Sequence, residues 1–246
     1  MNKNKYDNLS DFESQVKKDL LRLFENAPLS GMDKLNNLGL FLGRMQVQRI
    51  LTMAELYRLI LDKHGIIMEF GTRFGYGIAL LSALRGMYEP FVRSRKIVGF
   101  DTFEGFLSTT DQDHQKSAKG DFGVTKGYED YLNELMLCHE RQSPIAHIRK
   151  YEVIKGDATV EIGRYLKANP ETIIAMALFD MNLYEPTKKC LQAIKGYMPK
   201  GSVVVFDQLL YHDHPGETVA FREVFGSSLR VHRTPFSSSV SYAVIE

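Results

Sequence analysis

Ile66-Ile67-Met68-Glu69-Phe70-Gly71-Thr72-Arg73-Phe74-Gly75-Tyr76-Gly77 is the stretch on which the fold turns. An apolar run ends in glycines spaced GxxxGxG, and a helical pattern follows to about Met87. A glycine turn between a strand and a helix brings backbone N–H groups and the positive end of the helix to the mouth of an open sheet, where a nucleotide-like ligand or a carboxylate can sit. The same glycines also serve a plain tight turn. The spacing departs from GxGxxG, so the pyrophosphate fingerprint of a dinucleotide fold is missing.

Downstream, short apolar runs alternate with helical patterns. The runs are Ile66 to Phe70, Lys96 to Asp101, Tyr151 to Gly156, Ile173 to Asp180 and Ser202 to Asp207. Helical segments lie near Gly75 to Met87, Tyr128 to Arg141, Thr159 to Ala168, Thr187 to Tyr197 and Glu217 to Phe225. This is the rhythm of a parallel sheet covered on both faces. After the last helix, Leu229 to Arg233 and Ser239 to Ile245 alternate apolar and polar residues and predict an antiparallel hairpin. The polar segment Thr102 to Lys126 reads as a long loop of the functional kind. Upstream, Ser10-Asp11-Phe12-Glu13 matches a capping box, followed at helical spacing by Phe12, Val16, Leu20, Leu23 and Phe24. A second helical stretch spans about Met45 to Lys63, stopped by Gly65. Residues 1–64 are therefore expected to form a helical N-terminal cap on an α/β domain of residues 65–246. The amphipathic faces of the cap suit either a sheet edge or a second copy in a homodimer.

Composition excludes several classes. In 246 residues, 44% hydrophobic and 25% charged is a globular balance. Lys plus Arg, 31, nearly cancels Asp plus Glu, 30, so no global field favours nucleic acid or anionic lipid. The longest apolar run, Ile173 to Phe179, is far short of the about 20 residues of a membrane span. The N-terminus has no apolar signal region behind its lysines, which leads to the expectation of a cytoplasmic protein. Cys138 and Cys190 are isolated and suggest neither a disulfide framework nor a zinc site.

The second strand ends Gly99-Phe100-Asp101, placing a carboxylate where it can accept both hydroxyls of a ribose. Glycine loop plus acid implies a nucleoside. Lys155-Gly156-Asp157-Ala158 offers a third strand tip near an adenine position, although Gly-Asp is also ordinary turn and cap chemistry.

At these residues the chain resembles the class I S-adenosylmethionine-dependent methyltransferases, and more narrowly the macrocin O-methyltransferase-like sugar O-methyltransferases. The specific stretches are Gly99-Phe100-Asp101-Thr102-Phe103-Glu104-Gly105-Phe106 and Asp180-Met181-Asn182-Leu183-Tyr184-Glu185-Pro186-Thr187-Lys188. They are joined by Glu69-Phe70-Gly71, Lys155-Gly156-Asp157 and Val205-Phe206-Asp207-Gln208. The resemblance implies a Rossmann-like α/β fold with a seven-stranded, mostly parallel sheet whose last strand is antiparallel. It implies a small-molecule acceptor, a sugar hydroxyl, with S-adenosylmethionine as cofactor. The cofactor would be lined by Glu69, Phe70, Gly71, Thr72, Arg73 and Gly75, by Asp101, Thr102 and Phe103 at the ribose, by Gly156, Asp157 and Ala158 at the adenine, and by Asp180. Asp180 and Asp207 would serve catalysis and hold Mg²⁺ with Gln208. Asn182 and Gln208 stand where family members commonly show acids, so that cation site is expected to be a weak one.

A sugar hydroxyl is a weak acid, so its methylation needs a carboxylate base or a cation that lowers its pKa. His212 and His214 in the loop after the fifth strand are further candidates for a base or a substrate contact. Two alternatives stand beside this reading. One is a nicotinamide-dependent oxidoreductase, against which the 30-position gap from Gly71 to Asp101 counts, since about 20 is usual. The other is a cofactor-binding homologue without catalysis, motivated by the neutral Asn182 and Gln208.

Overall fold

The computed structural model describes residues 10–246 of the chain. They divide between Arg49 and Ile50 into two compact units. The first contains helices α1 (Asp11–Glu25) and α2 (Gly31–Asn36), and α3 (Arg44–Arg58) runs across the division. The capping box of α1 forms as expected: Glu13 N donates to Ser10 Oγ at 3.2 Å and Ser10 N donates to Glu13 Oε2 at 3.0 Å. α2, too short to show a periodicity, is capped by Ser30. No residue of α1 or α2 is buried, and Phe12, Leu23, Met32 and Leu35 are exposed.

The second unit is built on one seven-stranded sheet: β1 (Ile66–Phe70), β2 (Ile97–Asp101), β3 (Tyr151–Lys155), β4 (Ile174–Phe179), β5 (Val203–Phe206), β6 (Val231–Arg233) and β7 (Ser241–Val244). The order is β3-β2-β1-β4-β5-β7-β6, with β1 to β5 parallel and β7 antiparallel to both neighbours. The terminal hairpin thus closes one edge, and the last strand is antiparallel as expected. The crossovers carry α4 (Tyr76–Tyr88), α5 (Tyr128–Arg141), α6 (Ala158–Ala168) and α7 (Tyr184–Ile194), and α8 (Gly216–Phe225) follows β5.

Strand residues alternate between two cores because side chains alternate faces. Ile67, Ile97, Met176 and Val203 pack with Leu56 of α3, Leu81 of α4 and Met136 of α5. Met68, Val98, Ala177 and Val204 pack with Ile162 of α6, Leu191 of α7 and Phe221 of α8. All six residues of β4 are buried, the uninterrupted apolar run of a central parallel strand.

Two helix bounds differ from the sequence expectation. α3 stops at Arg58 rather than near Lys63: from Leu59 on the N–H groups turn to the carbonyl three residues back, as Leu59 N does to Leu56 O and Ile60 N to Tyr57 O, and the buried Arg95 guanidinium takes the carbonyls of Ile60, Lys63 and Gly65 that follow. α7 begins at Tyr184 rather than Thr187: Pro186 falls in its first turn, where a missing N–H leaves no intrahelical bond unmade. Among the described residues no helix is long and apolar enough to cross a membrane.

Candidate active site

The parallel strands deliver their C-terminal ends to one edge, and the strand order reverses between β1 and β4, where open α/β sheets hold ligands. Four of these strands bring a phenylalanine into register: Phe70, Phe100, Phe179 and Phe206. Their rings stack across the sheet with centroids 5.1 Å (Phe100–Phe70), 4.8 Å (Phe70–Phe179) and 5.4 Å (Phe179–Phe206) apart. Tyr165 and Phe221 close the ladder edge-on. Gly71, Asp101, Asp180 and Asp207 follow these four phenylalanines directly, so three carboxylates stand on an apolar floor that screens charge poorly.

On the β1–β2 side, Gly71 has φ 93°, and a Cβ there would overlap the Asp180 carbonyl. A Cβ on Gly77 would overlap the Glu69 carboxylate, which lies buried against the first turn of α4. The glycine spacing is therefore set by a side chain as much as by a turn. Asp101 Oδ2 accepts from Arg73 N at 2.7 Å and Oδ1 accepts from Phe103 N at 2.6 Å. Both donors belong to non-glycine residues at positive φ, 46° and 59°. Burial pushes the Asp101 carboxyl up from its ordinary value, opposed by these two N–H groups and the Arg73 charge.

The Arg73 guanidinium lies 4.7 Å from the Phe74 ring and 5.0 Å from that of Phe122. Thr72 is buried, packed against Gly99 of β2, and Gly75 takes φ 80° at the start of α4. Thr102 Oγ1 donates to Gly105 O, closing the next turn. The side chains of Phe70 and Phe103 point into the cores, so only their backbone borders the crevice. Gly156 N donates to Asp101 O at 2.9 Å, which aligns the third strand tip. Asp157 Oδ1 accepts from Thr159 N and caps α6, the ordinary role of such an acid, and Ala158 is buried in the first helical turn.

On the β4–β5 side the structure adds an acid that the sequence did not single out. Glu217, in the first turn of α8, is fully buried and reaches both strand tips. Its Oε1 accepts from Met181 N and Asn182 N at 3.0 Å each, and its Oε2 accepts from Gln208 N at 3.4 Å. A glutamate early in a helix is ordinary dipole chemistry, so no sequence signal marks it. Burial first, and then the charges of Asp180 and Asp207, push its carboxyl up to about 8. The buried amide oxygens Asn182 Oδ1 and Gln208 Oε1 have no hydrogen-bond donor.

A pH dependence follows from Glu217. The folded state holds a proton that the unfolded chain releases near 4.5, so this stabilisation is complete below that pH and is lost as pH rises through about 8. In divalent-free buffer, thermal unfolding measured between pH 6 and 9 should show a falling midpoint that Glu217→Gln flattens. Parallel curves for the two proteins would disprove the assignment.

The long loop of residues 102–126 crosses these strand ends. Phe122 packs near the Arg73 guanidinium and His214, and Asp113 Oδ1 accepts from Tyr184 N at 2.7 Å. The two loop histidines differ sharply. His212 is exposed, whereas His214 is buried and stacked on Tyr211, with burial lowering its pKa.

His114, His212 and Asp213 bring ligand-type atoms within 4.8 Å of one another. Lys116 N donates to His114 Nδ1 at 3.1 Å, however, which puts the neutral ring's proton on Nε2, facing Asp213 Oδ1 at 3.6 Å. The trio is therefore an interloop contact; a metal-bound His114 Nε2 would need its proton on Nδ1.

With this geometry in place, the chain is found to be similar to the calicheamicin methyltransferase CalS11. The likeness covers 96% of this chain and 93% of that one, at 41% identity and a TM-score of 0.93. The chain belongs to the class I S-adenosylmethionine-dependent O-methyltransferases. A second structure, apo CalS11, described as a TDP-rhamnose 3'-O-methyltransferase of calicheamicin biosynthesis, matches at 38% identity and TM-score 0.86, covering 97% and 96% of the two chains. The O-methyltransferase NovP, at 14% identity and TM-score 0.56 over 81% and 80%, shares the fold. No family model and no curated protein sequence matches this methyltransferase. The nicotinamide alternative is set aside by the membership. An enzyme of this class uses S-adenosylmethionine, and the β1–β2 side of the crevice offers Asp101, half-buried and already held by two N–H groups, with lone pairs left for a ribose.

Proposed function

We propose that this methyltransferase methylates a hydroxyl of a nucleotide-linked sugar, with the cofactor's nucleoside on the β1–β2–β3 tips and the acceptor on the β4–β5 tips. The observation that carries the reading is the Asp180–Asp207 pair at the β4 and β5 tips, beside the switch point, in a chain alike over nearly its whole length to an enzyme that methylates TDP-rhamnose. Methyl transfer from a sulfonium already has a good leaving group, so the protein's work is to position the acceptor oxygen in line and take its proton. We assign this work to Asp180. It follows β4 directly, its N–H donates to Phe70 O at 2.9 Å, and its carbonyl lies against Gly71, so its place is fixed from the cofactor side. Asp207 stands in the equivalent place on β5, its N–H donating to Phe179 O at 3.0 Å.

These residues also fit Mg²⁺, because two carboxylates and the two donorless amide oxygens of Asn182 and Gln208 form a hard oxygen set. A cation held there would lower the pKa of the acceptor hydroxyl. Without it, the proton falls to Asp180 alone.

Incubation with S-adenosylmethionine and TDP-rhamnose, followed by mass spectrometry, should give a methylated sugar nucleotide. Asp180→Asn should lower kcat by about a hundredfold or more while S-adenosylhomocysteine still binds. EDTA should abolish turnover and leave that affinity unchanged. Turnover that survives EDTA would remove the cation from the reading, and full activity in Asp180→Asn would remove Asp180. Cofactor binding with no turnover across a panel of sugar nucleotides and glycosides would favour the non-catalytic homologue instead.

A further inference from the structure

The turn that carries Asp180 and Asn182 is held mainly from outside itself. Residues 181–184 lead from β4 into α7; Asn182 sits at φ 62°, and Leu183, at the N-cap of α7, offers no side-chain acceptor. Three of the turn's four N–H groups donate to buried carboxyl groups from other segments. Met181 and Asn182 donate to Glu217, and Tyr184 donates to Asp113, 71 positions away in the long loop.

Asp113 is itself 8% exposed and is oriented by its neighbours, since Oδ2 accepts from Thr110 N at 2.8 Å and from Thr110 Oγ1 at 2.9 Å. Space at the junction is closed. A Cβ on Gly216 would lie 2.7 Å from Asp113 Oδ1 and 2.7 Å from the Leu183 carbonyl carbon, and would overlap Tyr184 N. The long loop, the start of α7 and the start of α8 therefore meet at one point with no room for a methyl group.

We propose that Asp113 is a positioning residue for methyl transfer. By capping α7 from the loop that lies over the strand ends, it locks that loop to the turn holding Asp180 and Asn182, so that enclosure of the acceptor and placement of the carboxylate are set together. A carboxylate at a helix N-terminus makes a charge-assisted bond to an otherwise unmet N–H and complements the helix dipole. Leu183, at the local N-cap position, supplies no acceptor, so the cap comes from residue 113 instead. Supplied from the loop, it is present only while the loop is docked, and the position of α7 then reports on the loop. The proposal rests on the reading that Asp180 meets the acceptor.

The test compares Asp113→Ala, Asp113→Asn, Gly216→Ala and Asp180→Asn in the full chain. Asp113→Ala should lower kcat/KM for TDP-rhamnose by about tenfold or more, a size that small misplacements of reacting groups reach. S-adenosylhomocysteine affinity should stay within about twofold, because Asp113 bonds to Thr110 and Tyr184 and to none of the residues expected to line the cofactor. Amide hydrogen exchange should rise at residues 181–185 and 107–118 together, while β1, β4 and the turn that holds Asp101 stay protected. Asp113→Asn, which keeps an acceptor oxygen for Tyr184 N, should recover most of the activity, and Gly216→Ala should reproduce the alanine effect by wedging the junction open. Wild-type turnover in Asp113→Ala would overturn the proposal, as would exchange that rises across the whole sheet with parallel loss of cofactor affinity, the mark of a residue that merely stabilises the domain. The exchange measurement needs no acceptor, so a failure of the sugar assignment, or full activity in Asp180→Asn, is read separately.

Discussion

Asp101→Ala should weaken S-adenosylhomocysteine binding by roughly a hundredfold or more. The carboxylate is expected to take the ribose hydroxyls of the cofactor, and hydrogen bonds to a charged group are worth about 1.5–3 kcal/mol each. Two such bonds lost correspond to roughly two to four powers of ten in Kd at about 1.4 kcal/mol per power. The structure adds a second cost. Arg73 N and Phe103 N both donate to this carboxylate, and both residues hold left-handed backbones that no glycine relieves. Alanine would leave these two amides without an acceptor and free the glycine loop and the β2 turn to relax, so the site would lose its shape as well as its contact. Asp101→Asn keeps one acceptor oxygen and should fall between wild type and alanine. Calorimetry checks the series; a change of less than about tenfold in the alanine variant would place the ribose elsewhere.

The parallel core was legible because its signal is local. The apolar runs ending in Phe70-Gly71, Phe100-Asp101, Phe179-Asp180 and Phe206-Asp207 are the strands observed, and the acids that close three of them stand at the strand tips, as their sequence positions implied. The terminal hairpin was legible for the same reason, since alternation over a few residues reports a strand with one exposed face. Glu217 and Asp113 were not. Each acts on backbone N–H groups far away in sequence, and an acid in a first helical turn or a polar loop has many ordinary uses. His214 was readable as a loop histidine but not as a buried one, because its partners Tyr211 and Phe122 meet it only when the long loop folds back. The helix starting at Tyr184 was placed three residues late for a related reason, its cap being supplied from residue 113.

The same limit hides the largest stability effect expected in the chain, which lies on the opposite edge of the sheet from the crevice. Nothing in the sequence sets Arg85 of α4, Glu140 of α5 and Lys150 before β3 apart from ordinary surface charges, yet all three are buried. Arg85 Nη2 donates to both Glu140 oxygens at 2.9 Å, and Lys150 Nζ pairs with Glu140 at 2.6 Å. The backbone joins the network: Arg85 Nη1 donates to Lys150 O at 2.6 Å and Lys150 N donates to Glu140 Oε2 at 3.0 Å, fixing where β3 enters the sheet. One carboxylate thus neutralises two buried cations. Glu140→Ala leaves both uncompensated, a loss of about 3–5 kcal/mol for a broken buried pair, against a total stability of about 5–15 kcal/mol. At about 2–4 °C per kcal/mol for a chain of this size, the unfolding midpoint should drop by roughly 10 °C, read by calorimetry or circular dichroism. Replacing all three together with apolar residues should recover much of the loss, since the desolvation cost of the ions disappears with them. The crevice is built at the far ends of the strands, so at temperatures where Glu140→Ala remains folded its S-adenosylhomocysteine affinity should match wild type. A midpoint within about 2 °C of wild type would mean that water reaches Arg85 and Lys150 and that the network is not dry.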